Sequence, residues 1–378
     1  MLRQTRYRPG RFIRKDLNRA IRYFMDTIMK KSILFLSLFL IPLALTAADL
    51  KADLEKAMEK DDIAAVKKLI IKGADVNAKD RYGWTPVIRA ALANDLDTVR
   101  FLIEKGADVR QIGNNGATAF YFAASRGNLD LVELIYSADP KLNIRQGVSP
   151  YTPMDDPAGA GNIPVVEFLL NAGYDVNEKL AYGARPIMYA AEYNHLPLVK
   201  FLLEKGADIE ATGNLGENAL MLASQKGHLG MVKYLVDKGA NVNAKSAVGY
   251  NPLRWAACGG HTEVAEYLIG KGADVNAREN NGQTPIMCAA ACGYPETISL
   301  LLKHGADANA ATDYGDTALI MAVKDLKRGK NKLDVISALV KGGASVTTAN
   351  REGLTPVKAA VRKREQDVIN LLKKAGGM

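Results

Sequence analysis

Hydrophobic and polar residues follow a helical spacing through residues 50–378, in two kinds of segment. One kind is short and rich in alanine, as in "VIRAA" at 87–91. The other carries apolar residues at helical intervals, as in Val99 and Leu102, which places them on one face of a helix. A glycine such as Gly106 follows the second kind, where a left-handed residue often ends a helix. The pattern predicts pairs of short helices, each with one buried face.

The two kinds of segment recur at a fixed period. A glycine precedes each Thr-Pro or similar pair, and successive copies are 33 residues apart, except for 67 residues between Gly116 and Gly183. Threonine suits a helix N-cap, and proline suits the first helical position. One helix pair cannot bury its apolar face alone, so stacked copies must supply a continuous core. The marking glycines are Gly83, Gly116, Gly183, Gly216, Gly249, Gly282 and Gly315.

The period, the element "GWTPVIRAA" (83–91) and the recurring "KGADVNAK" (72–79) resemble the ankyrin repeat family. The resemblance implies an all-α fold, an ankyrin-repeat solenoid of stacked helix pairs with β-hairpin-like turns. We expect an N-terminal cap repeat at 50–79, eight ankyrin repeats at 80–349 and a C-terminal cap repeat at 350–378. The eight repeats are 80–112, 113–146, 147–179, 180–211, 212–244, 245–277, 278–310 and 311–349.

The histidine that the family places in the Thr-Pro element is missing from every copy. We therefore expect apolar packing in place of the Thr–His hydrogen bond that the resemblance implies. The next position along is usually leucine in the family, and we predict that it lines the core here. The residues in the histidine position are Ile88, Tyr121, Asp155, Met188, Met221, Arg254, Met287, Ile320 and Lys358, and those predicted to line the core include Phe122, Tyr189, Leu222, Trp255 and Met321.

Repeat 147–179 departs most from the pattern. Its sequence "SPYTPMDDPAGAGN" (149–162) sets Pro157 inside the predicted first helix, where proline removes a hydrogen bond and clashes with the preceding turn. Gly159 weakens that helix further. We predict a loosened segment at 137–161. Two explanations stay open from the sequence, a partner site or tolerated decay of the repeat.

Repeat 311–349 carries five extra residues, since Gly315 and Gly353 are 38 residues apart. The insertion falls in "KDLKRGKNKLD" (324–334), between the two predicted helices. Loops tolerate insertions at little cost, so we predict a lengthened, solvated basic loop. A binding loop is the alternative.

Residues 29–48 form an apolar segment behind a basic start. Two lysines precede an uncharged run of 17 residues that ends in small side chains. This order is typical of a secretory signal peptide, with cleavage near Ala47 or Ala48. The run is short for a membrane span, and an uncleaved anchor is the alternative. We interpret residues 1–28 as an upstream extension before a start at Met29, or as a long basic n-region.

The net charge of +9 belongs to this leader. Residues 1–31 hold ten Lys or Arg and two Asp, a net charge of +8, so the rest of the chain carries about +1. A nearly neutral body lacks the basic surface that phosphate backbones require. The sequence therefore predicts no nucleic-acid partner.

Catalytic, cofactor and metal motifs are absent from the sequence. His195, His228 and His261 fall between paired helices, and His304 precedes a capping glycine, so all four histidines have structural positions. We interpret Asp155 and Asp156 as helix-start carboxylates rather than as an acid pair or metal ligands. We expect a non-enzyme with no cofactor, no metal and no small-molecule substrate.

The chain has three cysteines, Cys258, Cys288 and Cys292, which fall on the first helices of adjacent repeats. We interpret them as small core-lining residues. A disulfide from Cys258 to either of the other two is the alternative, which secretion would permit.

Binding, by the family resemblance, uses the turn tips and the exposed side of the first helices. Aromatic residues at the tips suit this role because they are enriched at binding hot spots. We expect a Tyr82→Ala/Trp84→Ala double substitution to weaken binding without affecting folding. The candidate partner-binding residues are Arg81, Tyr82, Trp84, Asn114, Asn115, Tyr182, Tyr193, Leu215, Glu217, Tyr250, Asn281, Gln283 and Tyr314.

Together these features predict a monomeric, non-catalytic scaffold or regulator that binds an unidentified protein in the periplasm or after secretion. Contact with a membrane is expected only if the signal segment stays uncleaved. The alternatives are a scaffold anchored in the inner membrane and a secreted effector directed at a host.

Overall fold

The computed structural model of the chain describes residues 48–326 and 330–376, with no account of the side chain at 330. Within these ranges twenty α-helices follow one another in ten pairs, and each predicted repeat or cap contains one pair. The helices are α1 (48–59), α2 (Ile63–Ile71), α3 (Pro86–Leu92), α4 (Leu96–Glu104), α5 (Ala119–Ser125), α6 (Leu129–Ala138), α7 (Asp155–Ala160), α8 (Ile163–Asn171), α9 (Pro186–Glu192), α10 (Leu196–Glu204), α11 (Ala219–Gln225), α12 (Leu229–Asp237), α13 (Pro252–Gly259), α14 (Thr262–Gly270), α15 (Pro285–Cys292), α16 (Pro295–Lys303), α17 (Ala318–Asp325), α18 (Lys330–Lys341), α19 (Pro356–Arg362) and α20 (Gln366–Lys374).

The predicted signal segment and the upstream extension lie outside the described residues, apart from position 48. Among the helices described, none is both long and apolar enough to cross a bilayer.

The chain divides into two compact units, with the boundary after Asn114. The first contains α1–α4, and its core is built from side chains such as Met58, Val66 and Leu102, which are fully buried. The second contains α5–α20, in which each first helix packs beside the first helices of the neighbouring repeats. Alanine pairs such as Ala190–Ala191 are fully buried there, because small side chains let neighbouring helices approach closely.

The turns between helix pairs are short hairpins closed by backbone hydrogen bonds. At the first of them, Asp80 N donates to Trp84 O over 3.0 Å and Gly83 N donates to Asp80 O over 2.9 Å. Gly83 has φ of +73°, a left-handed conformation that favours glycine. The predicted β-hairpin-like turns are therefore present at this position. The same pair of bonds recurs at the turns that begin at Leu180, Gly213, Ser246, Glu279, Thr312 and Asn350.

The N-caps of the first helices follow the prediction only in part. The side chains of Thr118, Asn218 and Thr317 accept hydrogen bonds from N–H groups three residues further on. Thr85 and Thr284 make no such bond, and their hydroxyl oxygens are buried without a partner among the described residues.

Side chains also join neighbouring repeats inside the second unit. The Nε2 atoms of His195, His228 and His261 lie 2.8–2.9 Å from carbonyl oxygens of the preceding repeat, and because a carbonyl only accepts, each Nε2 carries the donated proton. Asn276 reaches forward, with its Nδ2 donating to Gly305 O and its Oδ1 accepting from Asp307 N. The predicted structural roles of these histidines are confirmed.

Repeat 147–179 has the shortest first helix described, and the reason differs from the prediction. Helix α7 starts only at Asp155 and has six residues, so Pro157 lies in its first turn. An N–H group there has no partner within the helix, and proline therefore removes no hydrogen bond. The expectation of an interrupted helix was wrong, because the helix begins later and accommodates the proline.

A shorter helix has fewer protected amides, so we expect α7 to exchange its hydrogens faster than its neighbours. Hydrogen-exchange mass spectrometry of the whole chain should show peptides covering 137–161 reaching full deuteration before those covering α9 and α11. Equal protection across the three first helices would contradict a loosened segment.

The segment 324–334 is not simply a solvated loop. Helix α17 extends to Asp325 and α18 resumes at Lys330, so the helices take up most of this segment. Lys332 is almost completely buried, with 2% of its surface exposed. The prediction of a solvated basic loop was wrong at this lysine, for which the surrounding protein supplies acceptors.

The cysteines also differ from the interpretation as unlinked core residues. Cys258 in α13 forms a disulfide with Cys288 in α15, and Cys292 is free and exposed.

Candidate protein-binding site

A pocket of about 460 Å³ opens on the exposed side of three consecutive first helices, α5, α7 and α9. Two of its lining residues are small, since Gly159 and Ala160 stand where the next repeat has Glu192 and Tyr193. Gly159 leaves room for the Tyr193 ring, which lies 3.7 Å from where a side chain on that glycine would begin. The lining consists of Ser125, Tyr151, Asp155, Asp156, Gly159, Ala160, Tyr189 and Tyr193.

One register of contacts builds the pocket. We number the Thr of the Thr-Pro element, or the residue that replaces it, as position 0. Position 7 of one first helix then faces positions 4 and 8 of the next. Ser125 at position 7 donates a short hydrogen bond to Asp156 at position 4 of the next repeat. Two repeats later, Glu192 at position 7 pairs with Lys226 at position 8 of the following repeat over 3.2 Å. Equivalent positions along the second unit therefore form a hydrogen bond in one place and an ion pair in another.

The two carboxylates of the pocket have different surroundings. Asp155 is buried, and its oxygens accept hydrogen bonds from Thr152 N, Thr152 Oγ1 and Ala181 N at 2.7–2.8 Å. It therefore fixes the loop before α7 against the next turn. Asp156 is exposed beside it, with Ser125 as its partner. None of the described residues that line the pocket is Lys or Arg, so their net charge is negative.

Tyrosines surround these carboxylates. The rings of Tyr151 and Tyr182 meet edge to face with centroids 6.1 Å apart, and their hydroxyl oxygens lie 3.5 Å from each other. Burial, together with the charges of Asp156 and Asp155, raises the pKa of Tyr121 to about 12. Burial and Asp155 also raise the pKa of Tyr189. These phenols stay protonated at neutral pH, so the negative charge belongs to the carboxylates alone.

Two of the predicted binding residues belong to this site. Tyr193 lines the pocket, and Tyr182 touches its rim through Tyr151. Tyr182 is 67% exposed, in the turn that Asp155 anchors through the Ala181 N–H. Tyrosine is among the residues enriched at binding hot spots, so both positions suit a partner contact.

The predicted residues of the first unit form a separate cluster. Arg81 lies over the Tyr82 ring at 4.7 Å and pairs with Glu59 over 3.3 Å. Asn114 joins this turn through its N–H, which donates to Tyr82 O over 3.0 Å. Trp84 is half-buried, and its ring lies 4.5 Å from the guanidinium carbon of Arg89.

That contact bears on the Tyr82→Ala/Trp84→Ala double substitution. Because the Trp84 ring lies beside the buried Arg89 side chain, we expect removal of this ring to affect folding as well as binding. Tyr82, which is 46% exposed, remains the better of the two positions for testing binding alone.

The remaining predicted residues occur at turns of the second unit, and several hold neighbouring turns together. The carbonyls of Leu215, Asn281 and Tyr314 each accept a hydrogen bond from the N–H group of a residue in the next turn at 3.0 Å. Tyr250 packs at right angles to Trp255, with the Arg254 guanidinium 3.6 Å from its ring centroid. The last three, Asn115, Glu217 and Gln283, lie within their own turns, where the Asn115 side chain accepts from Ala117 N, the Glu217 carbonyl accepts from Gly213 N and the Gln283 carbonyl accepts from Glu279 N.

Sequence reasoning missed most of the pocket. Tyr189 was predicted to line the core but is only half-buried and lines the pocket, and Asp156 was interpreted as a helix-start carboxylate. Tyr151 was not considered. The available signal was that one atypical repeat places glycine and alanine where its neighbour has larger residues. These small residues indicate a pocket only when it is known which residues of the neighbouring helices face them, and the sequence of one repeat does not show that.

Comparison with known protein families matches ankyrin repeats, in a three-copy form, to residues 54–146, 157–246, 211–279 and 243–312. The chain belongs to the ankyrin repeat family. None of the curated individual proteins matches it. Ankyrin repeats serve in protein–protein interaction and are typically non-catalytic. The ankyrin-repeat fold of stacked helix pairs is likewise confirmed.

Proposed function

We propose that this ankyrin-repeat protein is a non-catalytic binding protein that works in the periplasm or after secretion, and that its tyrosine-lined pocket receives a lysine or arginine side chain of a protein partner. The single observation that carries the proposal is the combination of an exposed carboxylate, Asp156, with tyrosine rings, in a pocket whose described lining residues include no Lys or Arg.

The charge and the ring surfaces of the pocket both favour a basic side chain of the partner. Asp156 offers an acceptor at the pocket wall, while Tyr151, Tyr189 and Tyr193 offer ring surfaces around it. A cation within about 6 Å of a tyrosine ring gains about 0.5–2 kcal/mol, depending on how far it is desolvated. A guanidinium can also donate two hydrogen bonds to a carboxylate in a fixed geometry. A neutral or acidic side chain would leave Asp156 without these interactions.

Peptide titration tests the pocket. We expect a peptide Gly-Gly-Arg-Gly-Arg-Gly-Gly to bind the whole chain about tenfold more tightly than the same peptide with citrulline in place of arginine. Citrulline keeps the shape but lacks the charge. Backbone NMR shifts during the titration should move at residues around Asp156 and Tyr193.

Matched variants locate the effect. Asp156→Asn and Tyr193→Ala should each weaken binding of the arginine peptide by about tenfold. Asp130→Asn removes an exposed carboxylate from α6, outside the pocket, and should leave binding unchanged. Equal affinity for the two peptides, or an unaffected Asp156→Asn variant, would contradict the pocket assignment.

The proposed location rests on the order of charges and apolar residues in 29–48. N-terminal sequencing of the mature chain from the producing cell tests it. A first residue at position 48 or 49 would agree with cleavage and export. A mature chain that retains 29–48 in a membrane fraction would favour an anchored scaffold.

A further inference from the structure

A cluster of three cysteine sulfurs lies on the exposed side of α13 and α15, outside the tyrosine-lined pocket. Cys288 and Cys292 are one helical turn apart in α15, and Cys258 faces them from α13. All three Sγ atoms lie within 4.8 Å of one another, and the Sγ atoms of Cys292 and Cys258 are 3.8 Å apart. Cys288 is buried, whereas Cys292 is exposed.

The register of the repeats, rather than the disulfide, brings these sulfurs together. Cys258 occupies position 7, and Cys288 and Cys292 occupy positions 4 and 8 of the next repeat. The same positions hold Ser125 against Asp156 and Glu192 against Lys226, where no covalent bond exists. The backbone therefore presents three side chains to one another whether the cysteines are oxidised or reduced.

We propose that the reduced chain binds one thiophilic d¹⁰ metal ion, Zn²⁺ or Cu⁺, through the thiolates of Cys258, Cys288 and Cys292. Thiolates are the ligands that select these ions. A zinc–sulfur bond of about 2.3 Å in tetrahedral geometry sets ligand sulfurs about 3.8 Å apart. The distance between Cys292 and Cys258 already has this value.

The disulfide is the metal-free, oxidised state of the same site. A dithiol reductant transfers two electrons and two protons to the Cys258–Cys288 bond, giving two thiols and the oxidised form of the reductant. Binding of Zn²⁺ then forms three metal–sulfur bonds and releases three protons, so the zinc-bound site carries one negative charge. The two states exclude each other, because a sulfur in the disulfide has no thiolate to offer.

The surroundings suit a partly open site. Because Cys292 is exposed, a fourth coordination position faces solvent, where water or a ligand atom from another molecule can bind a zinc ion.

Metal titration under anaerobic conditions tests the site. The whole chain is reduced, freed of reductant and dialysed against Zn²⁺, and the bound metal is measured. We expect one ion per reduced chain and none per oxidised chain. Co²⁺ in place of Zn²⁺ should give the intense near-ultraviolet absorption of cobalt–thiolate bonds, and bound metal should protect all three thiols from alkylation.

Two variants separate coordination from folding. Cys292→Ser keeps the other two cysteines and changes an exposed residue, so it should fold normally yet bind Zn²⁺ at least about a hundredfold more weakly. Lys226→Ala removes the equivalent contact with Glu192, away from the cysteines, and should leave metal binding unchanged. Absence of binding by the reduced chain, binding that survives oxidation, or an unaffected Cys292→Ser variant would each overturn the proposal. A preference between the two ions follows from competition of Cu⁺ with bound Zn²⁺.

Discussion

Replacement of Lys332 by methionine is expected to destabilise the second unit by about 3–5 kcal/mol, because it leaves a buried carboxylate without its counter-charge. The ammonium group donates to Val323 O over 2.7 Å and to Leu326 O over 3.0 Å, and it pairs with Glu365 over 2.8 Å. Only 1% of the lysine side chain and 6% of the glutamate side chain are exposed. Urea unfolding followed by circular dichroism gives the free energy of unfolding directly.

A double substitution separates the cost of an unpaired charge from the value of the pair. Lys332→Met/Glu365→Met removes both charges and keeps the volume, so it should recover most of the lost stability. Failure of the double variant to recover would point to the lysine's two bonds to the carbonyls at the end of α17 as the dominant contribution. A single variant as stable as the parent would contradict the buried pair altogether.

Replacement of Arg89 by methionine is the second large effect, with an expected loss of about 3–5 kcal/mol in the first unit. Its guanidinium donates two hydrogen bonds to Asp80, at 2.6 Å and 2.9 Å, and lies under the Trp84 ring. The Asp80 side chain is completely buried, and it also accepts from Tyr82 N and Trp84 N. Without the arginine this carboxylate keeps its backbone donors but loses its only strong counter-charge in the contacts described.

Arg81→Met is the matched control for this experiment. Arg81 is eight residues away and pairs with Glu59, but both side chains are largely or partly exposed. Exposed ion pairs contribute about 0–1 kcal/mol, so this variant should unfold almost as the parent does. Thermal unfolding of the two variants side by side provides the comparison, and similar losses in both would argue against a buried Asp80–Arg89 pair.

The helix pairs could be predicted from sequence because they depend on local, periodic signals. Thr-Pro elements, buried alanine pairs and capping glycines recur in register, and each acts within one repeat or against an identical neighbour. The length of α7 could not be predicted in the same way. Its first residue, Asp155, accepts hydrogen bonds from Thr152 of the same repeat and from Ala181 of the next, and the second of these contacts cannot be inferred from one repeat alone.

Lys332 illustrates a second limit. Lysine is almost never fully buried, so a lysine within a basic run is reasonably interpreted as solvated. Its burial depends on free carbonyls at the end of α17 and on Glu365 from the following repeat, two features that sequence spacing does not relate to each other. The tyrosine-lined pocket is hidden for the same reason, since its walls come from three separate repeats.

The contact between position 7 of one first helix and positions 4 and 8 of the next is repeated along the exposed face of the second unit. It gives this face a series of equivalent contact sites whose side chains differ. A hydrogen bond, an ion pair and a disulfide occupy three of these sites, while small side chains such as Ala158, Ala223 and Ala289 stay buried in the same helices. Two or three substitutions at one contact site can therefore change which ligand it binds without repacking the core. The same side chains placed one repeat further along would transfer that binding site to the next pair of helices.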